Sequence, residues 1–244
     1  MNETRTTVYE LLADKMLDFR DYLDIAVDAH EDEAPFLPVR PSPVLNVDHQ
    51  NQDMIPYTGE KILLRETVLD RLFWAGQELR NHDPAFRLEL VYGYRTLEVQ
   101  QQLFEAAKAE LAPHFDDEER LLSATHRKIA VPEVSGHPTG GAVDVHILRD
   151  GEPVDMGTSV WDFSDDSFTF SPFISAESWS NRQLLRRVMI SAGFAPFDGE
   201  WWHFSYGDKE WAAYYNKPRA LFSQVGHRSL DSRPDLAGIL SKPV

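Results

Sequence analysis

Two short segments carry the residue types that metal-dependent hydrolysis requires. The first is Ser135-Gly136-His137-Pro138-Thr139-Gly140-Gly141-Ala142-Val143-Asp144, and the second is Glu200-Trp201-Trp202-His203. A catalytic zinc takes three nitrogen or carboxylate ligands, keeps a position open, and works beside a base. Two histidines and an aspartate could supply the ligands, which leaves Glu200 for the base. Gly140-Gly141 lets the chain turn tightly into a strand at Ala142, so His137 on the loop and Asp144 on the strand can converge. On a regular strand Glu200 and His203 would face opposite ways. Both reach one metal only if Glu200 sits on the turn opened by Asp198-Gly199. Nine histidines are scattered over 244 residues, so spacing alone leaves ligation and accidental clustering both open. His82, His114, His126 and His227 read as surface or core residues. His146 reads the same way, with a lesser reading as a supporting neighbour of the site.

The elements that would position these residues follow from periodicity. Residues 8–28 place Leu11, Leu12, Met16, Phe19, Leu23 and Val27 at helical spacing. The acidic, then proline-rich stretch from His30 to Pro43 reads as an extended connector. Residues 60–81 predict the strongest helix, with Ile62, Leu63, Val68, Leu69, Leu72, Phe73 and Leu79 on one stripe and Thr58 as N-cap. Arg87 to Tyr94 predicts a strand, 96–111 a helix, and Asp116 to Arg120 a solvated loop or helix start. Gly141 to Leu148 alternates as a strand, with Asp144, His146 and Leu148 on one face and Val143, Val145 and Ile147 on the other. Asp150-Gly151 marks a hairpin. A helix over 181–192 behind Ser180, ended by Gly193, and a strand over Trp201 to Ser205 complete the pattern. Helices and strands do not alternate as βαβ units, so the class is α+β. The length suits one domain: an N-terminal helix and connector over 1–43, a catalytic core over 44–215, and a C-terminal extension over 216–244.

Composition narrows the function classes. With a net charge of −16 and no Lys/Arg-rich stripe, the surface repels phosphate backbones and anionic membranes. The absence of cysteine removes disulfides, thiolate metal sites and thiol nucleophiles together. The first residues lack a signal-peptide pattern and no apolar run is long enough to span a membrane, so a cytoplasmic location is expected.

The motifs also resemble a known family. Ser135, His137, Gly140, Ala142 and Asp144 meet the pattern Ser-x-His-x-x-Gly-x-Ala-x-Asp, and Glu200, Trp202 and His203 meet Glu-x-Trp-His. Together they resemble the D-alanyl-D-alanine dipeptidases of the VanX type, zinc peptidases grouped with VanY-type D,D-carboxypeptidases. Tyr92-Gly93-Tyr94-Arg95, Val154-Asp155-Met156-Gly157-Thr158 and Gly193-Phe194 extend the likeness over most of residues 50–207. The resemblance implies a small antiparallel sheet flanked by helices, with a zinc cleft. It implies one zinc on His137, Asp144 and His203, and Glu200 as general base for an attacking water. Arg95 would then stabilise the oxyanion, and Ser135 and Trp202 would contact a small peptide. Of Trp201 and Trp202, one would pack and the other wall the site. The ligand set suits zinc and also accepts cobalt, nickel or manganese.

The sequence departs from the family in three places. Thr96 follows Arg95 where the family has proline. Ser167-Phe168-Thr169 replaces a Ser-His-His segment. The aspartate expected to pair with the dipeptide's free amino group is displaced by one residue, to Asp162 of Val160-Trp161-Asp162. On an extended segment that slip turns the side chain to the other face. A D,D-carboxypeptidase acting on longer cell-wall peptides therefore stands beside the dipeptidase reading. A zinc-stabilised binding module of the hedgehog kind is a third reading, against which the presence of both Glu200 and Arg95 argues. A hydrolase built on Ser135 and His137 lacks an acid partner.

Overall fold

Val143, Val145 and Ile147 project from one face of their strand into the main apolar core, while Asp144 and His146 occupy the other face. That alternation sets the two sides of the protein. The computed structural model describes residues 3–28, 34–50 and 52–226. The helices are α1 (Glu3–Ala13), α2 (Ile55–Thr58), α3 (Glu66–His82), α4 (Leu97–Leu111), α5 (Glu118–Lys128), α6 (Ala176–Ser191) and α7 (Lys209–Tyr214). The strands are β1 (Ala26–Val27), β2 (Phe36–Pro38), β3 (Leu45–Val47), β4 (Leu63–Arg65), β5 (Phe86–Tyr92), β6 (Ala142–Arg149), β7 (Glu152–Pro153), β8 (Ala195–Pro196), β9 (His203–Ser205) and β10 (Arg219–Ala220).

The main sheet runs β3-β5-β6-β9-β8, with β7 paired to β6. Within this sheet, among the described residues, only the β3–β5 pairing is parallel, so the α+β class and the small, mainly antiparallel sheet are as expected. Helices α3 and α6 cover one face. Leu72, Ala75 and Leu79 of α3 and Leu185, Val188 and Met189 of α6 pack on Leu88, Leu90 and the three β6 residues. Each of these buried Leu, Val, Ile and Met side chains contributes about 1.5–3 kcal/mol. Gly76 lets α3 pass close to the preceding chain, because a Cβ there would lie 2.7 Å from the Val44 carbonyl oxygen.

Several boundaries differ from expectation. The first helix ends at Ala13 rather than near 28. Asp18 and Asp21 form a capping box that starts a separate turn at Phe19–Asp21, and this docks Phe19 and Tyr22 on a second apolar cluster with Phe104, Val131 and Val134. The helix expected from residue 60 begins at Glu66. Leu63 and Leu64 pair instead with Leu37 and Pro38, which brings strand structure into the predicted connector. Thr58 ends α2, where its hydroxyl donates to the Met54 carbonyl, and does not cap α3. Helix α6 starts earlier than expected, at Ala176, behind Ser175. Residues 227–244, including His227, lie outside the described residues. Within the described residues β1 pairs with β10, and the Val225 N–H donates to the Pro138 carbonyl. Among the described residues no helix is long and apolar enough to cross a membrane.

Candidate active site

The loop that carries Ser135 and His137 is held from several directions. A 3-10 turn over His137–Thr139 ends at Gly140, which adopts φ +74°. A side chain there is excluded twice, by the left-handed backbone and by the Phe36 ring, 2.3 Å from where a Cβ would lie. The Thr139 hydroxyl donates to the Gly136 carbonyl and accepts from the Gly141 N–H. Arg65, wholly buried, donates from Nε to the Thr139 carbonyl at 2.8 Å, and its backbone N–H donates to the Gly140 carbonyl. From the C-terminal side, the Gln224 amide donates to the Ser135 carbonyl.

Antiparallel pairing of β6 with β9 sets Asp144 directly opposite His203. One ligand atom each from His137, Asp144 and His203 lie within 4.8 Å of one another. Asp144 Oδ1 is 3.6 Å from His137 Nε2 and 3.1 Å from His203 Nδ1. The other nitrogen of His137, Nδ1, is 2.8 Å from the Gly93 carbonyl oxygen. A carbonyl only accepts, so Nδ1 carries the proton and Nε2 presents its lone pair to the cluster. Two imidazole nitrogens and a carboxylate oxygen converging at this spacing form a donor set that fits a zinc ion.

Electrostatics follows from burial and from these contacts. Burial lowers the His137 pKa to about 4 against the opposing charge of Asp144, so the ring is neutral and ready to ligate. Burial alone would raise Asp144, yet His137 and His203 hold its carboxyl well below the usual carboxylate range. Burial would lower His203, but its hydrogen bond to Asp144 and that residue's charge outweigh it and lift the ring to about 9. To serve as a metal ligand through this nitrogen, His203 would have to give up that proton.

Glu200 stands at the end of a turn closed by its N–H on the Phe197 carbonyl, and its own carbonyl accepts from the His203 N–H. It is thus on the turn and not in the strand, which begins only at His203. Withdrawal from water raises its carboxyl to about 8, with His203 opposing and Asp144 adding to the shift. Arg95 is buried, and its Nε donates to the Tyr92 hydroxyl at 2.7 Å and its Nη1 to Gln100 Oε1 at 2.8 Å. Gln100 is anchored in turn on the Ala130 carbonyl. Burial works against the guanidinium charge, but Tyr92, Asp144 and Asp53 together stabilise it.

These residues share one cavity, whose walls include Arg95, Ser135, His137, Asp144, Glu200 and His203. Two sequence-predicted substrate contacts lie elsewhere. Trp202 is 0% exposed and belongs to the main core, so it does not wall the cavity. Trp201 is also buried, with its indole N–H on the Thr158 hydroxyl, so neither tryptophan of the pair lines the site. Asp162 is not in the cavity wall, and its Oδ1 accepts from the Ser164 N–H. Its neighbours Trp161 and Phe163 face the cavity instead. The sequence reading also missed Tyr22, His126 and Glu210, which line the same cavity. His126 Nδ1 accepts the Val131 N–H, so Nε2 donates to the Tyr22 hydroxyl at 2.9 Å. A second cavity, lined by Leu111, Arg127, Asp165 and Phe168 among others, shares Lys128, Phe163 and Glu200 with the first.

A buried two-histidine, one-carboxylate cluster beside a glutamate and a fixed arginine is the arrangement of a metallopeptidase. The chain matches the peptidase M15 family, described as D-ala-D-ala dipeptidase, over residues 53–223. It is 32% identical over 206 residues to the D-alanyl-D-alanine dipeptidase of Synechocystis sp., covering 73% of this chain and 81% of that protein. It is 36% identical over 92 residues to the D-alanyl-D-alanine dipeptidase of Enterococcus faecium, covering 36% of this chain and 45% of that one. Among solved structures, a vancomycin-resistance D,D-pentapeptidase VanY in complex with Zn(II) aligns at 18% identity and a TM-score of 0.39, over 82% of this chain and 96% of that chain. The chain belongs to the peptidase M15 family and is a metallopeptidase.

Proposed function

We propose that this metallopeptidase hydrolyses the peptide bond of D-Ala-D-Ala, or of a closely related small peptide containing D-amino acids. In this reading one zinc ion is held by His137, Asp144 and His203. The observation that carries it is the convergence of those three ligands within 4.8 Å, in a cavity that Glu200 and Arg95 also line. The relatives named D-alanyl-D-alanine dipeptidases support the substrate class. A bound zinc supplies Lewis acidity, lowering the pKa of water and polarising a carbonyl.

The protein's own groups do the rest. Glu200 takes one proton from the attacking water and gives it to the leaving nitrogen, so water and peptide become a carboxylic acid and an amine. Arg95, fixed by Tyr92 and Gln100, meets the negative charge that develops on the carbonyl oxygen. Ser135, on the pinned loop, offers a hydroxyl to the substrate.

One observation favours a second reading, cleavage of longer D,D-peptides. The second cavity shares Lys128, Phe163 and Glu200 with the first, and a substrate longer than a dipeptide would extend into it. Comparing kcat/KM for D-Ala-D-Ala and N-acetyl-D-Ala-D-Ala separates the two. Preference for the free dipeptide supports the dipeptidase, and preference for the acylated peptide supports the second reading. Cleavage of neither would remove both.

A further inference from the structure

Trp161 has φ +62°, a left-handed backbone that bulky side chains seldom adopt unless their surroundings hold them there. It occupies the third position of a turn closed by the Asp162 N–H on the Ser159 carbonyl, a place where glycine or asparagine is favoured at positive φ. The side chain supplies the reason. Its indole N–H donates to Asp144 Oδ2 at 3.0 Å. The other oxygen of the same carboxylate, Oδ1, is the one that both His137 and His203 approach. The two oxygens of Asp144 thus have different partners.

The ring has a second contact. It meets the Tyr92 ring edge-to-face, with centroids 6.2 Å apart. Tyr92 carries the hydroxyl that accepts from Arg95 Nε. One side chain therefore touches both the central carboxylate and the support of the arginine.

We propose that Trp161 is a positioning residue of the metal centre: its indole N–H occupies Asp144 Oδ2 and presents Oδ1 alone to the metal. The inference rests on the reading of His137, Asp144 and His203 as ligands. Donors that fix the free atoms of a ligating side chain are typically worth about 10–100-fold in metal affinity. A ring that only filled space beside Tyr92 would be replaced by phenylalanine without loss of metal affinity.

The test is zinc affinity by chelator competition, with the absorption spectrum of the Co(II)-loaded protein as a second readout. Trp161→Phe keeps a ring against Tyr92 and loses the N–H. It is expected to bind zinc about 10–100-fold more weakly and to shift the cobalt bands, because Asp144 is free to rotate. Trp161→His, which keeps a ring N–H, should stay closer to wild type on both readouts. If W161F matches the wild type in zinc affinity and cobalt spectrum, the proposal is overturned while the ligand assignment stands. A wild-type chain that binds no zinc overturns both. Should W161F fail to fold, the indole N–H resonance of Trp161 in the wild-type chain decides. A shift on zinc addition supports the role, and an unmoved resonance contradicts it.

Discussion

Arg65 Nε lies 2.8 Å from the carbonyl oxygen of Thr139, a bond that spans 74 residues of chain and ties β4 to the turn carrying His137. The same guanidinium reaches the carbonyls of Ala34 and Ser223 and lies between the Phe36 and Phe222 rings, 4.7 and 4.8 Å from their centroids. It joins the N-terminal segment, the site loop and the C-terminal segment at one point. Arg65→Met keeps much of the side-chain volume and removes the donors. The bond to Thr139 is buried and the other two are partly buried. A buried carbonyl that loses its donor costs about 1–3 kcal/mol, so a loss of about 1–3 kcal/mol is expected. Urea unfolding measures it, and an unchanged midpoint would show that the clamp contributes nothing.

Arg95 is fixed by two bonds, to Tyr92 and Gln100, that a lysine cannot reproduce together. Arg95→Lys is expected to lower kcat by about 10²–10³-fold, the effect of losing one oxyanion donor, with bound zinc unchanged. Metal analysis and steady-state kinetics on one preparation check both halves. Loss of zinc together with activity would instead assign Arg95 a structural part.

What could be read from the sequence was local. His137, Gly140 and Asp144 lie within eight residues, so a turn into a strand suffices to bring them together, and Glu200 falls on its turn because Asp198-Gly199 precedes it. Arg65, Tyr22 and His126 left no such signal. Their partners lie about a hundred residues or more away in several cases, and only tertiary packing brings them to the site. Trp201-Trp202 misled for a related reason. Adjacent residues were expected to face opposite ways, one inward, but the regular strand starts only at His203 and both rings are buried in the core. The first helix was overextended because apolar spacing continues past Ala13, while the Asp18–Asp21 capping box that interrupts it is a competing local signal.

His126, in the wall of the cavity, gives the fold a pH dependence. Burial lowers its pKa from 6.5 to about 4. Between those values the unfolded chain binds a proton that the folded chain refuses, so stability is full above pH 6.5 and falls as the pH drops toward 4. At 1.36 kcal/mol per unit the loss comes to about 3 kcal/mol. In His126→Gln the unfolding free energy should fall less steeply across this window. Parallel curves for variant and wild type would exclude His126 as the source.

Asp162 is expected to matter little for the choice between free and acylated substrates, because Ser164 N–H takes its Oδ1 and it is absent from the cavity wall. Asp162→Ala should leave the ratio of rates on D-Ala-D-Ala and N-acetyl-D-Ala-D-Ala within about twofold of wild type, against the 10-fold that 1.4 kcal/mol of lost binding would give. A selective loss of the free dipeptide would restore Asp162 as the ammonium partner.

The central claim divides the site into three metal ligands and a separate base. The most direct measurement is bound zinc together with D-alanine release from D-Ala-D-Ala, for the wild type and Glu200→Ala, each before and after chelator treatment and zinc re-addition. The account predicts that the wild type loses activity with its metal and regains it with zinc. It predicts that Glu200→Ala holds one zinc per chain yet is slower by about 10²–10⁴-fold, the usual contribution of a positioned base. Activity that survives removal of the metal, or a Glu200→Ala chain that no longer holds zinc, would contradict it.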